Sequence, residues 1–167
     1  MPELLPWLLL VHVLAAIVGV GPTFTFPLIG AMGEREPAHA NFATRVSLSI
    51  SERFAVPLVA VSGLTGIGMI WAGELDIFSS EFRWLLVAIG IYVATYAFAL
   101  FVQVPAVKRV VAMTSGGPPP GAAPGSPAGP PPALLEAIGA VKRNGMLLMA
   151  AWTVVVFLMV VKPAFGT

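Results

Sequence analysis

The chain has 167 residues, of which 57% are hydrophobic and only 10% are charged. A soluble domain carries about 25% charged residues, and a soluble fold of this length leaves too much of its surface wet to hide such an apolar excess. The net charge of +1 gives no indication of nucleic-acid binding, and the absence of cysteine excludes disulfides, thiolate metal sites and cysteine nucleophiles. The composition therefore predicts an integral membrane protein, surrounded by lipid.

Four apolar stretches are long enough to cross a bilayer, which needs about 20 residues. They run approximately over residues 4–29, 54–72, 84–104 and 145–161. Backbone polar groups in hydrocarbon must be paired within their own segment, so each stretch is predicted to be a helix. We therefore expect an all-α fold, a single membrane domain over residues 1–167 built as an antiparallel four-helix bundle. Glu3, rather than a basic segment, precedes the first stretch, so we expect a retained span and not a cleaved leader.

The positions of Lys and Arg predict the orientation, because basic residues are enriched in cytoplasmic loops. Seven of the nine basic residues lie in the loops that follow the first and third stretches: Arg35, Arg45, Arg53, Lys108, Arg109, Lys142 and Arg143. Only Arg83 and Lys162 lie on the opposite side. We therefore expect the N-terminus, the C-terminus and the short acidic loop 73–83 to lie outside the cytoplasm.

The two loops predicted to be cytoplasmic differ in composition. Residues 33–53 carry Phe42, Val46 and Ile50 at helical spacing, which predicts an interfacial amphipathic helix leading into the second span. Residues 115–132 consist almost wholly of Gly, Pro, Ala and Ser, a composition typical of a disordered linker. Residues 133–144 then predict a helix that continues into the fourth span.

Two further patterns concern the shape and packing of the spans. Pro22 and Pro27 in the first span and Pro57 in the second are expected to kink or end their helices. Three pairs of small residues have the four-residue spacing that lets helices approach closely: Ala15 with Gly19, Ser62 with Gly66, and Gly90 with Ala94.

His12 is the one ionisable residue well inside a predicted span, where polar groups are costly and therefore informative. At 1.5 Å rise per residue it lies about 9 Å from the outer end of its helix at Pro6. Thr65, Tyr92 and Thr153 fall near the same depth in the other three spans. We therefore expect these four side chains to form one polar layer in the outer half of the bundle.

The residues alone leave the role of His12 open. The imidazole is either a neutral hydrogen-bonding tie to Tyr92 or a threonine, or an axial ligand of haem b iron, since imidazole suits iron and bundles place cofactors between helices. A second axial ligand would be Met69, Met159, His12 of a second protomer, or none. A proton-relay role is a third alternative.

The first span resembles the first helix of several bacterial families. Residues 8–16 read LLLVHVLAA. This run is similar to the corresponding helix in a group of predicted integral membrane proteins of unknown function, in the haem-binding membrane protoporphyrinogen oxidase family and in the copper-resistance D-type family. The spacing from His12 to Pro27 resembles the oxidase family, in which a proline closes that helix.

The second and third spans resemble the unknown-function group most closely. Residues 63–66 (GLTG) are similar to a threonine–glycine pair in its second helix, and the segment from residues 83–86 (RWLL) to residues 104–105 resembles its third. The residues that replace the oxidase family's tryptophan, arginine and lysine are Gly19, Leu28 and Ala88. Over the first two thirds of the chain, the resemblance implies a multi-pass protein of the bacterial inner membrane, with haem ligation carried over onto His12 alone.

Two functional hypotheses follow, and neither assigns an enzymatic activity. The first is a small haem-binding or redox-linked membrane protein that acts through His12. The alternative is a non-catalytic accessory or structural subunit of a larger membrane complex, whose partners are lipid and other membrane subunits or further copies of the chain. It is motivated by the lack of a second ligand or acid–base pair in the predicted spans. One histidine without an intramembrane acid gives a transporter little to couple to.

Overall fold

The computed structural model describes residues 2–115 and 131–163, and over these ranges the chain forms helices and turns without any strand. Within them, four helices are long and apolar enough to cross a membrane: Leu5–Arg35, Ala40–Ala72, Ser80–Thr114 and Pro132–Val161. They correspond in order to the four predicted spans, and the prediction of an all-α helical bundle is confirmed. The predicted linker 115–132 falls almost entirely outside the described residues.

Three of the four long helices are divided by short turns of different pitch. The first consists of α1 (Leu5–Val20), a 3-10 turn (Gly21–Phe24) and α2 (Phe26–Arg35). The second consists of α3 (Ala40–Ile50), a π-helical turn (Ser51–Ala55) and α4 (Val56–Ala72). The third consists of α5 (Arg83–Phe98), a second π-helical turn (Ala99–Gln103) and α6 (Val104–Thr114). The fourth is the unbroken α7 (Pro132–Val161).

Proline accounts for the position of these turns. Pro22 lies in the 3-10 turn, and Pro57 and Pro105 each stand two residues after a π-helical turn. A proline has no N–H to donate to the preceding turn, and its ring crowds the carbonyl four residues earlier. The local backbone therefore changes pitch. The predicted distortion at Pro22 and Pro57 is confirmed, and so is the continuous helix from residue 133 into the fourth span.

The loops rich in Lys and Arg lie at one end of the bundle, here called the basic end. Lys142 of α7 pairs with Glu34 of α2, and Lys108 of α6 pairs with Glu52 of the first π-helical turn at 2.7 Å. All four side chains are about half exposed. Each pair therefore contributes only about 0–1 kcal/mol. One pair links the first long helix to the fourth, and the other links the second to the third.

The opposite end, here called the acidic end, carries the turn between α4 and α5 with Glu74, Asp76 and Glu81. The ammonium group of Lys162, just after α7, lies 5.8 Å from the centroid of the Trp84 ring at the start of α5. This cation–π contact brings the end of α7 beside the start of α5. The chain therefore runs antiparallel through the bundle.

Helices α1 and α4 pack closely because small residues line their contact. Ala15 and Gly19 of α1 and Ser62 of α4 are buried. A Cβ atom added to Gly19 would lie 2.9 Å from the backbone nitrogen of Val59. Only a residue without a side chain allows this approach, so the small-residue spacing at positions 15 and 19 serves helix packing as predicted.

The same small-residue prediction is wrong for α5, where Gly90 and Ala94 are exposed. The apolar core instead joins α4 to α7 through Val59, Leu148, Trp152 and Val155, and Tyr92 and Tyr96 of α5 pack against it. The rings of Tyr92 and Trp152 meet edge to face with centroids 5.4 Å apart. Such a pair contributes about 0.5–1.5 kcal/mol beyond its buried area.

Substitution of Gly19 tests the close approach of α1 to α4. Gly19→Ala is expected to destabilise the protein by about 1–3 kcal/mol, because the added methyl group meets α4 backbone that cannot yield without separating the helices. Thermal unfolding in detergent, followed by far-ultraviolet circular dichroism, measures the change.

Gly21→Ala is the matched control, because a Cβ atom at Gly21 meets no heavy atom within 4 Å. It is expected to be neutral or to stabilise by up to about 1 kcal/mol through helix propensity. Equal stability of the two variants would contradict the packing described for Gly19.

Candidate functional site

The imidazole of His12 lies between α1 and α4 and is bound to the backbone of α4. Its Nδ1 atom is 2.8 Å from the carbonyl oxygen of Ser62. The hydroxyl oxygens of Ser62 and Thr65 each lie 3.4 Å from the same nitrogen. The three contacts come from one face of α4, since residues three apart on a helix are neighbours.

The contact with the Ser62 carbonyl determines which ring nitrogen carries the proton. A carbonyl oxygen can only accept a hydrogen bond, so Nδ1 must be the donor. In a neutral imidazole the proton on Nδ1 leaves a lone pair on Nε2. Every hydrogen bond to this ring from the part of the chain that the structure describes involves Nδ1. The site therefore presents Nε2 as a free electron-pair donor.

Glycine provides the room for the ring beside α4. A Cβ atom on Gly66 would lie 3.4 Å from Cε1 and 3.5 Å from Nδ1 of His12. These are ordinary contact distances, so alanine would fit there, and only a longer side chain would displace the imidazole from the Ser62 carbonyl. Gly66 thus acts with Ser62 to fix the orientation of the ring, which is half-buried at the contact between the two helices.

Tyr92 lies on a different face of α4 from His12. Its hydroxyl donates to the carbonyl oxygen of Val59, and its ring fills the space beside Gly63, where a Cβ atom would lie 2.8 Å from the hydroxyl oxygen. Tyr96, one turn further along α5, donates to the carbonyl of Val56 at 3.3 Å. These bonds tie α5 to α4 as the His12 bond ties α1 to α4.

The structure brings together only part of the predicted polar layer. His12 and Thr65 lie in contact, Tyr92 bonds α4 separately, and Thr153 is exposed on α7, where its hydroxyl donates to its own helix at the Met149 carbonyl, 2.8 Å away. The partner expected for His12 was Tyr92 or a threonine side chain, whereas its shortest contact is the backbone of Ser62. Depth along a helix does not fix the face on which a residue lies.

Sequence reasoning missed Ser62 and Gly66 as neighbours of His12. It identified them as a small-residue pair for helix packing, and that role and the histidine contact coincide. The sequence pattern that could have revealed this contact is the spacing of Ser62, Thr65 and Gly66. It places the Ser62 carbonyl, the Thr65 hydroxyl and a residue without a side chain on one face of the helix.

A metal cage made by protein side chains alone is not present among the described residues, which contain no cluster of three His, Asp or Glu side chains fit for a metal ion. A porphyrin supplies four of the ligands of its iron, so a haem needs only one or two axial ligands from the chain. A single histidine with a free Nε2 and a backbone-bound Nδ1 fits one axial position.

Comparison with known proteins bears on the class of the chain. A family model described as "Predicted integral membrane protein (DUF2269)" matches residues 6–163. The chain belongs to this family. Curated proteins and solved structures give no match. The resemblance to a group of integral membrane proteins is therefore confirmed and extends over nearly the whole chain, and the four long helices contact lipid as membrane spans.

The tautomer of His12 is a direct prediction of this geometry. In the His39→Gln variant labelled with ¹⁵N-histidine, His12 is the only histidine, and its resonances are expected to show a protonated Nδ1 and an unprotonated Nε2. Nitrogen NMR in lipid or detergent distinguishes the two tautomers. An Nδ1 that carries no proton would contradict the bond to the Ser62 carbonyl.

A pair of substitutions separates Tyr92 from Thr153. Tyr92→Phe removes a hydrogen bond between helices and is expected to cost about 0.5–1.5 kcal/mol. Thr153→Val is expected to change stability by less than about 0.5 kcal/mol, because the hydroxyl binds only its own helix at an exposed position. Unfolding in a graded series of denaturing detergent measures both, and a larger loss for Thr153→Val would reverse this assignment.

Proposed function

We propose that this protein is a haem-binding or redox-linked protein of the bacterial inner membrane, in which His12 Nε2 is an axial ligand of haem b iron. The observation that supports the proposal is the 2.8 Å contact between Nδ1 and the Ser62 carbonyl, which leaves Nε2 as the free nitrogen. A metal-ligating histidine almost always donates its other ring N–H to a carbonyl, carboxylate or water. His12 has that arrangement inside an otherwise apolar span.

Several residues around His12 hold its ring in place, each by a different contact. The Ser62 carbonyl fixes the tautomer and increases the basicity of Nε2, as such a partner does for ligating histidines in general. Gly66 lets the ring lie against α4. Leu8, one turn nearer the acidic end, packs over Gly68 and supplies an apolar side chain on that side of His12. Bound haem would supply one-electron redox chemistry.

The surface beside His12 is suited to an apolar macrocycle. Leu9 and Val13, the neighbours of His12 along α1, are exposed apolar side chains with exposed fractions of 51% and 44%. The half-buried ring therefore reaches the lipid-facing side of the bundle, where a flat apolar ligand replaces lipid rather than core. Met69 lies one turn beyond Thr65 on the same face of α4 and is one of the two methionines that would be available as a second ligand, with Met159 of α7.

The orientation is part of the proposal. With seven basic residues in the loops of the basic end, that end faces the cytoplasm, and His12 then lies in the outer half of the membrane.

Colour tests the proposal directly. Protein expressed with ample haem and purified in mild detergent is expected to show a Soret band, and His12→Gln is expected to abolish it because an amide is a poor axial ligand compared with imidazole. Difference spectra and the pyridine haemochrome assay measure haem content per chain.

Two controls separate ligation from folding. Tyr92→Phe removes a bond elsewhere on α4 and is expected to keep the Soret band, and His39→Gln removes the histidine at the basic end with the same result. Full haem content in His12→Gln would remove the ligand assignment whatever its stability. A colourless wild-type protein that purifies from native membranes with other membrane subunits would support the alternative, a non-catalytic accessory subunit.

A further inference from the structure

A cavity of about 350 Å³ lies inside the half of the bundle nearer the basic end. It is separate from the His12 site, and His12 is not among the residues that line it. Along α7 it extends from Lys142 to Trp152, a distance of about 15 Å at 1.5 Å per residue. Its volume falls within the roughly 300–1,000 Å³ typical of small-molecule sites.

Small residues create this space, since Gly30, Ala55, Ala99 and Gly145 all line it. A Cβ atom on Gly30 would meet no heavy atom within 4 Å. A bundle that served only to pack would fill such a gap with larger side chains, because a cavity costs stability. Small residues at several separate positions of the sequence therefore keep this cavity open.

The three irregular turns all reach this cavity. Thr23 of the 3-10 turn, Ser51 and Ala55 of the first π-helical turn, and Ala99 and Gln103 of the second all line it. In a membrane, irregular backbone is tolerated where it is buried in protein or lines a cavity, and π-helical turns occur frequently at functional sites. Three prolines in three different spans thus distort the backbone around the same cavity.

Gln103 supplies the chemical specificity of the cavity. Its Nε2 donates to the Val141 carbonyl at 3.3 Å, which fixes the orientation of the amide because a carbonyl cannot donate. Its Oε1 is buried and has no hydrogen-bond partner in the described part of the chain. An unsatisfied acceptor inside a membrane protein is costly, and a ligand that carries a hydrogen-bond donor relieves it. Because Oε1 is closed off in this structure, the amide must turn toward the cavity to accept that bond.

The rest of the lining selects against charge. Glu34 and Lys142 are its charged residues, and they are paired with each other. The nearby hydroxyls of Thr44, Ser47 and Ser51 donate to their own helix at the carbonyls four residues earlier. We propose that this cavity binds a neutral, largely apolar small molecule of the membrane that carries one hydroxyl or N–H donor for the Gln103 carboxamide.

Binding of two probes with the same ring system tests the proposal on the wild-type chain in lipid nanodiscs. 2-Naphthol carries a hydroxyl donor, and 2-methoxynaphthalene has the same bicyclic ring without one. Equilibrium dialysis, with empty nanodiscs subtracted, is expected to show saturable binding, about three- to tenfold tighter for 2-naphthol, the effect of one hydrogen bond. No saturable binding, or equal affinity for the two probes, would overturn the proposal without any variant.

Substitutions then locate the site. Gln103→Leu is expected to lower the affinity for 2-naphthol to that for 2-methoxynaphthalene. Gly30→Leu is expected to weaken both probes at least about tenfold by filling the cavity. Gly90→Leu, at an exposed position of α5 that also has no heavy atom within 4 Å of an added Cβ atom, is expected to leave both unchanged. Indistinguishable binding by the Gly30→Leu and Gly90→Leu proteins would place the ligand elsewhere.

Discussion

The close approach of α1 to α4 is the contact on which the rest of the structure depends. In lipid no hydrophobic force draws helices together, so association relies on close packing and on polar contacts between helices. Gly19 has no side chain to hold the two backbones apart, since even a Cβ atom there would come within 2.9 Å of the α4 backbone. The same approach brings the His12 ring within reach of a backbone carbonyl, so packing and candidate chemistry have one cause.

Proline has a complementary effect at the other end of the bundle. Each proline removes one backbone donor and widens or tightens a turn, which is unfavourable in a regular span. In this protein the disturbed turns of three spans converge on one cavity near the basic end. The bundle is therefore tightly packed between α1 and α4 and open near Gln103. The two regions adjoin, because Gly19 and Val59 belong to the α1–α4 contact and also line the cavity.

The fold was largely predictable from the sequence, and the details of the polar contacts were not. Four long apolar stretches can only be helices in lipid, and the continuous α7 and the kinks at Pro22 and Pro57 follow from local rules. The 3.6-residue period was too weak in these uniformly apolar spans to show which face each residue occupies. Gly90 and Ala94 had the small-residue spacing, yet they lie on an exposed face. The position of Thr153 shows the same difficulty for the polar layer.

Most hydroxyl side chains in this bundle bond their own helix, although those of Ser62 and Thr65 also lie beside His12 of another helix. Thr44, Ser47, Thr114 and Thr153 all satisfy their hydroxyls on the carbonyl four residues earlier in their own helix. The longer side chains of His12, Tyr92 and Gln103 instead bond the backbone of another helix. Because a backbone carbonyl is the partner in each case, the sequence cannot reveal it from residue type. It follows that in a span the long polar residues predict contacts between helices. Their second polar atom, Nε2 of His12 or Oε1 of Gln103, is the one that we propose binds a ligand.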